Sequence, residues 1–165
     1  MRQIGKGSAL PAPFRSGAYT VRPEWIDYNG HLNLAYYVLL LDQATDALWD
    51  EIGLGHTLRA AGHGTFAAES HIFYRAELLE ADTVVVDSQI LGCDSKRLHI
   101  AHEMRRGEAV SAQQELMYLC VSLESRRVVP WPAPVMDRLG AASRDHARLP
   151  RPDWVGRRIA MPSPA

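Results

Sequence analysis

The chain has 165 residues, 47% of them hydrophobic and 22% charged, and its 18 basic and 19 acidic side chains leave a formal net charge of −1. That is apolar material for one ordinary globular core, and the balanced charge, with no basic run, excludes an electrostatic footprint for nucleic acid. The longest apolar run, Val38 to Leu41, is far too short to span a membrane, and no secretory leader pattern opens the chain. Cys93 and Cys120, the 2 cysteines, form neither a disulfide framework nor a zinc spacing, so a cytoplasmic chain with reduced thiols and no metal is expected.

Residues 1–16 combine Gly, Ser and Pro without periodicity and read as a flexible N-terminal arm. Gly17 to Arg22 reads as a first strand, ended by Pro23. A turn-forming run follows, Asp27-Tyr28-Asn29-Gly30-His31-Leu32-Asn33. Directly after it, Leu34, Tyr37, Val38, Leu41, Ala44, Thr45, Leu48 and Ile52 recur at steps of three and four. This spacing predicts an amphipathic helix of about 19 residues, with Asn33 as its N-cap and Gly53 as a left-handed C-cap. Leu54 to Gly64, with three glycines and two histidines, reads as a mobile connection.

Four strand-like stretches come next, near 65–77, 83–93, 97–106 and 109–123. Turn signals at Ala81-Asp82, Asp94-Ser95 and Gly107-Glu108 separate them, and such short spacers predict antiparallel hairpins. Residues 141–165 are rich in Pro and Arg and read as a tail, with Trp154 as a docking point, which leaves 17–140 as the folded domain. One long helix followed by an antiparallel meander is an α+β arrangement, with the helix packed on one sheet face.

The turn carries the chemistry. Asp27, Gly30, His31 and Asn33 converge at a helix N-terminus, where free N–H groups and the helix dipole suit an oxyanion or a polarised carbonyl. A carboxylate beside such donors is what hydrolysis of an activated acyl group needs, Asp27 acting as nucleophile or as general base. The plainer reading of Asp27 is an Asx-turn bonding its own backbone; of Gly30, a positive-φ turn residue; of His31, a surface histidine; of Asn33, a cap. No Gly-rich phosphate loop, nucleophile elbow, Rossmann fingerprint or metal-spaced histidine pair is present, so no metal or separate cofactor is expected.

The run from Arg22 to Leu48 also resembles the opening of the 4-hydroxybenzoyl-CoA thioesterase group of the hotdog superfamily, with Asp27, Gly30, His31, Asn33 and Tyr37 matching in order and spacing. The later runs TFAAESHIFYRAEL and DSKRLHIAHEM are similar to the betainyl-CoA thioesterase branch. Cys120 and Ser122 depart from that branch, where a histidine and an aspartate are usual. The resemblance implies a hotdog fold, a long helix wrapped by an antiparallel sheet, hydrolysing a short or polar acyl-CoA such as betainyl-CoA. It also implies a homodimer or dimer of dimers with sites completed between subunits.

In the strand from Thr65, the even positions from Phe66 to Ala76 should face the helix and Glu69, His71, Phe73 and Arg75 the other side. Glu69 and His71 are then either an exposed polar row or part of a shared substrate site, where Glu69 with Tyr74, Tyr36 or Trp25 would cradle a cationic acyl head. Lys96 and Arg97, at a hairpin tip, are either a solvated turn or contacts for CoA phosphates. Two other functions stay open: a hotdog dehydratase or hydratase using His71 and Glu69, and a non-catalytic acyl-CoA-binding module.

Overall fold

The computed structural model describes residues 10–161, so most of the expected N-terminal arm lies outside the described residues. The elements run β1 (Phe14–Arg15), β2 (Tyr19–Thr20), a 3-10 turn (Pro23–Trp25), α1 (Leu34–Glu51), α2 (Leu54–Ala60), β3 (His63–Tyr74), β4 (Thr83–Cys93), β5 (Arg97–Arg106), β6 (Ala109–Ser122) and α3 (Ala133–His146). The sheet is antiparallel, in the order β1-β4-β5-β6-β3, with β2 also paired to β4. The expected α+β architecture, a long helix against an antiparallel sheet, is the one observed.

α1 begins where the Asn33 side chain accepts the Ala35 N–H at 3.0 Å, and ends at Gly53, whose φ of +65° is the left-handed cap read from the sequence. Its buried face is Tyr37, Leu40, Leu41, Ala44, Thr45, Leu48 and Trp49. Leu34 and Val38, expected in the stripe, are instead 62% and 40% exposed. Leu40 and Trp49 are buried in their place.

Two apolar clusters form along this helix. Near its N-terminus Leu32, Tyr37, Leu41, Leu78, Val86 and Met104 pack together; near its C-terminus Leu48, Trp49, Leu54, Ile90, Leu98 and Trp131 do so. Between the clusters lies a buried polar network around His102. Thr45 Oγ1 donates to the Leu41 carbonyl at 3.1 Å, so it accepts from His102 Nε2 at 3.0 Å, and Ser88 Oγ then donates to Nδ1 at 2.8 Å. The imidazole is neutral and satisfied at both nitrogens, as a fully buried ring must be.

Four expectations change. Leu54 to Gly64 is no open connection, since α2 buries Leu54 and Leu58 against the core. The domain boundary expected at 140 falls inside α3, which buries Val135, Leu139, Ala142 and His146. β4 needs that cover: the Ile90 N–H, beside the bulge between Ile90 and Gly92, donates to His146 Nδ1 at 2.8 Å, while His146 Nε2 donates to the Pro11 carbonyl at 3.0 Å. Residues 14–16 belong to the fold as well, Arg15 clasping Asp87 of β4 with two bonds of 2.7 Å.

The fourth change concerns β3. A bulge between Ala67 and Glu69 flips the alternation, so Thr65 and Ala67 pair with the inward Cys120 and Tyr118, and Phe66 turns to the outer face. Beyond the bulge the expected faces hold: Ser70, Ile72 and Tyr74 pair with Leu116, Gln114 and Ala112, and Glu69, His71 and Phe73 point outward. β3 is the sheet's free edge, none of its side chains is fully buried, and Phe66 and Tyr74 are 42% and 46% exposed.

Burial lowers the His102 pKa from 6.5 to about 4 and lowers that of His146 as well. Both rings are neutral in the fold, and the unfolded chain takes up their protons first as the pH falls. Stability is therefore full above pH 6.5 and declines towards pH 4, by about 3 kcal/mol for His102 alone. Urea unfolding midpoints taken between pH 7.5 and 4.5 should fall over that window; a flat profile would contradict the buried neutral imidazole.

Candidate active site

The turn before α1 is a small hairpin loop. Ile26 and Leu32 bridge antiparallel, the Asp27 N–H donates to the His31 carbonyl at 3.0 Å, and the Gly30 N–H returns to the Asp27 carbonyl at 3.0 Å. Gly30 has φ +83°, and a Cβ there would meet nothing within 4 Å, so the turn needs glycine for its backbone angle and not for space. Leu32, 1% exposed, anchors the loop to the core, and its N–H donates to the Leu78 carbonyl at 2.7 Å. The Asn33 N–H donates to the Trp25 carbonyl at 3.0 Å, which ties the 3-10 turn to the start of the helix.

This frame aims the Asp27 carboxylate. Its Oδ1 accepts the Asn29 N–H at 2.8 Å, an Asx-turn, and His31 Nδ1 lies 3.8 Å from the same oxygen. His31 Nδ1 also faces the Leu32 carbonyl at 3.4 Å. Oδ2 has no hydrogen-bond partner among the described residues. The side chain is only 14% exposed, so its free oxygen is held, not waving. The plain and the functional readings of Asp27 are thus compatible: the Asx-turn is what orients the carboxylate.

A cleft of about 490 Å³ opens at this point, lined by Asp27, His31, Asn33, Leu34 and Tyr37 on one side and by Tyr74, Arg75, Ala76 and Glu77 on the other. Tyr37 donates to the Ala76 carbonyl at 3.1 Å, and its ring meets Tyr74 edge-on at 5.3 Å. Burial raises the pKa of both phenols, so both are neutral donors at physiological pH. The backbone N–H groups of His31 and Leu34 make no hydrogen bond among the described residues. They sit beside Asp27 at the positive end of α1, donors suited to a developing oxyanion.

Asp27, His31, Asn33, Tyr37 and Tyr74 therefore meet in one cleft, with Gly30 shaping its rim. Glu69 and His71 do not join them within the chain. They stand on the outer face of β3, the His71 ring tilted against Phe73 with centroids 4.4 Å apart. Lys96 and Arg97 are also remote: Arg97 aligns through Leu119 with Phe66, seven positions along β5 from Met104, which aligns with Tyr74. That is roughly 23 Å along the strands. Asp94 holds this hairpin, accepting the Lys96 and Arg97 N–H groups at 2.8 Å and pairing with the Arg97 guanidinium at 3.7 Å. Sequence reasoning missed Arg75 and Glu77 as cleft residues, because they follow the end of β3, where strand alternation no longer assigns a face. Among the described residues, no group of three metal-ligating side chains is placed to hold an ion.

Comparison with known proteins bears on this cleft. The family model of the thioesterase-like superfamily matches residues 21–139. Betainyl-CoA thioesterase of Pseudomonas aeruginosa is 44% identical over 146 residues, which cover 86% of this chain and 91% of that protein. A Pseudomonas putida KT2440 protein put forward as a thioesterase superposes with a TM-score of 0.76 at 36% identity, covering 95% of this chain and 100% of that one. A Staphylococcus aureus protein solved in complex with CoA shares the fold, with a TM-score of 0.84 at 23% identity over 95% of this chain and 100% of its own.

The Asn33 cap is expected to matter for the stability of this frame. Asn33→Ala should cost about 1 kcal/mol in urea unfolding, and Asn33→Asp, which keeps an acceptor oxygen, should cost much less. Equal losses in the two variants would mean that the side chain does not cap α1.

Proposed function

The chain belongs to the thioesterase-like superfamily, and from that premise we propose that it hydrolyses a short, polar acyl-CoA to the free acid and CoA, with Asp27 as the reacting carboxylate. The observation that carries this reading is the geometry of Asp27, one oxygen pinned in the turn and the other at the cleft, beside N–H groups near the α1 N-terminus, these and that oxygen being without partners among the described residues. A thiol leaves readily, with a pKa of about 8.5, so the site needs little acid help. It needs a nucleophile or base on one face of the carbonyl and donors at its oxygen.

Two routes fit that geometry and yield the same products. In one, the free Asp27 oxygen attacks the carbonyl, the C–S bond breaks, the thiolate takes a proton, and water cleaves the resulting anhydride. In the other, Asp27 takes the proton of a water that attacks directly. In both, the N–H groups of His31 and Leu34 hold the oxyanion, Gly30 gives the turn its shape, and Asn33 caps the helix. No cofactor takes part.

The Pseudomonas aeruginosa relative is named for betainyl-CoA, and the same acyl class suits this cleft. A betainyl head carries its cation two bonds from the carbonyl carbon, so it must sit within the space that holds Asp27. Tyr37, Tyr74 and Glu77 line that space and supply two ring edges or faces and an anion. Glu77 takes the role that the sequence reading gave to Glu69. The hydratase alternative loses support, since Glu69 and His71 lie across the sheet from the cleft.

We read the functional unit as a homodimer formed by edge pairing of β3, because a 12-residue edge strand, paired on one side only and with exposed Phe66 and Tyr74, is an open template for a second copy. Free Cys93 and Cys120 fit a reducing compartment, the cytoplasm.

Release of CoA, followed with a thiol reagent over acetyl-, aromatic, betainyl- and long-chain acyl-CoA, tests the activity. Asp27→Asn should lower kcat by about two to four powers of ten while the circular dichroism spectrum stays unchanged. Equal rates in both proteins would remove Asp27 from the chemistry, and saturable binding without turnover would make the chain a binding module. Head-group selection is tested by pairing betainyl-CoA with its neutral isostere, 3,3-dimethylbutyryl-CoA. Glu77→Gln should lower the ratio of kcat/KM for the charged over the neutral substrate by about tenfold; an unchanged ratio would exclude Glu77 as the selector.

A further inference from the structure

On the outer face of the sheet, next to the cleft, two arginines share one aromatic ring. The Arg75 guanidinium lies 5.2 Å from the Phe73 centroid and that of Arg157 lies 5.4 Å from it. Trp154 meets the same ring edge-on at 6.0 Å and is itself buried. Arg157 reaches this point because the segment after α3 crosses the outer face of the sheet. The segment is pinned where the Gly156 N–H donates to Glu115 Oε2 at 2.6 Å, and Glu115 Oε1 meets His99 Nε2 at 2.7 Å.

The charges at this platform do not balance. Neither Arg75 nor Arg157 forms an ion pair with a carboxylate among the described residues. Arg75 spends only its Nε, on Gln113 Oε1 at 2.8 Å, and Gln113 in turn is held by Glu103 at 2.7 Å. Glu115, the carboxylate that pins the segment, is already engaged by His99 and Gly156. Both guanidinium groups are exposed, with N–H donors free, and Arg158 follows in the chain. Two like charges on one ring repel each other, and an anion between them relieves the repulsion. The exposed plane of a guanidinium lying over an aromatic ring is, in addition, a stacking surface for a flat heterocycle.

We propose that Arg75, Phe73 and Arg157 form the seat for the nucleotide end of the acyl-CoA, its adenine stacking on the platform and its phosphates accepting from the two guanidinium groups. This rests on the thioesterase reading above. Arg75 is the link, since it lines the cleft that holds Asp27 and lays its guanidinium on Phe73. Lys96 and Arg97, expected from the sequence to meet the phosphates, are far from the cleft within the chain. The C-terminal segment, read as a tail, thereby becomes part of the substrate site.

The test compares two substrates carrying the same acyl group, acyl-CoA and the corresponding S-acyl pantetheine, which lacks the nucleotide, with the full-length protein and Arg157→Gln. The ratio of kcat/KM for acyl-CoA to that for acyl-pantetheine should fall about tenfold in the variant, through KM and not kcat. A purely structural role for Arg157 would lower both substrates together and leave the ratio unchanged, which would overturn the proposal. Calorimetry decides the question apart from turnover: adenosine 3′,5′-bisphosphate should bind the wild type, bind Arg157→Gln about tenfold more weakly, and bind more tightly than inorganic phosphate. No binding, or binding equal in the two proteins, would overturn the seat. Were the wild type to bind this nucleotide and hydrolyse neither thioester, the thioesterase reading would fail and the seat would stand.

Discussion

The anchoring of Leu32 in the core is the constraint on which the geometry of the cleft depends. Its buried side chain packs with Tyr37, Leu41 and Leu78, and its N–H is donated to the Leu78 carbonyl across the mouth of the sheet. Those two attachments hold the end of the turn that carries Asp27 against the beginning of α1. They also draw Leu78, and with it the stretch from Tyr74 to Glu77, up to the other side of the cleft. A turn of exposed polar residues would otherwise sample many conformations. Here it is stretched between two buried points, and the free carboxylate oxygen inherits that rigidity.

The same helix divides the interior into two apolar clusters, with His102, Thr45 and Ser88 between them. An apolar filling would have been simpler, but a satisfied network is specific: each hydroxyl has one proton, so the donor and acceptor roles are forced around the ring. His146 does a comparable job at the edge, accepting the Ile90 N–H and holding the Pro11 carbonyl on its other nitrogen. Both imidazoles act as neutral hydrogen-bonding parts of the scaffold, remote from the cleft residues.

The two sides of the sheet have different tasks. The inner side packs on α1 and, at the end of β3, gives Tyr74 to the cleft. The outer side is polar and is crossed by the segment from α3 to Arg157, which buries Trp154 against Phe73. Arg75 connects the two, since it follows the last β3 residue where the backbone turns from one face towards the other. The proposed division, a short acyl group inside and a charged, flat nucleotide outside, matches this polarity.

Local pattern was enough for much of the molecule. The periodicity of α1, the caps at Asn33 and Gly53, the four long strands and the turn at Asp27 all depend on neighbours in sequence, and the structure agrees with them. α2 and α3 were missed because short, weakly apolar helices bury only a few residues each; the Val135, Leu139, Ala142 and His146 face of α3 has helical spacing but little hydropathy to announce it. The turn of Phe66 to the outer face follows from a one-residue bulge at Ala68, which no composition signals. Alternation could assign Glu69 and His71 to the outer face, yet it could not tell which polar residues stand beside Asp27. By itself, then, the amino-acid order determined the helix, its caps, the strands and the carboxylate turn, because these are short-range consequences of side-chain size and hydrogen bonding. Only the tertiary structure decided that Glu77 and Arg75 flank that carboxylate and that the C-terminal segment crosses the sheet to Phe73, because those contacts join residues far apart in the chain and are selected by the burial of Leu32, Leu78 and Trp154.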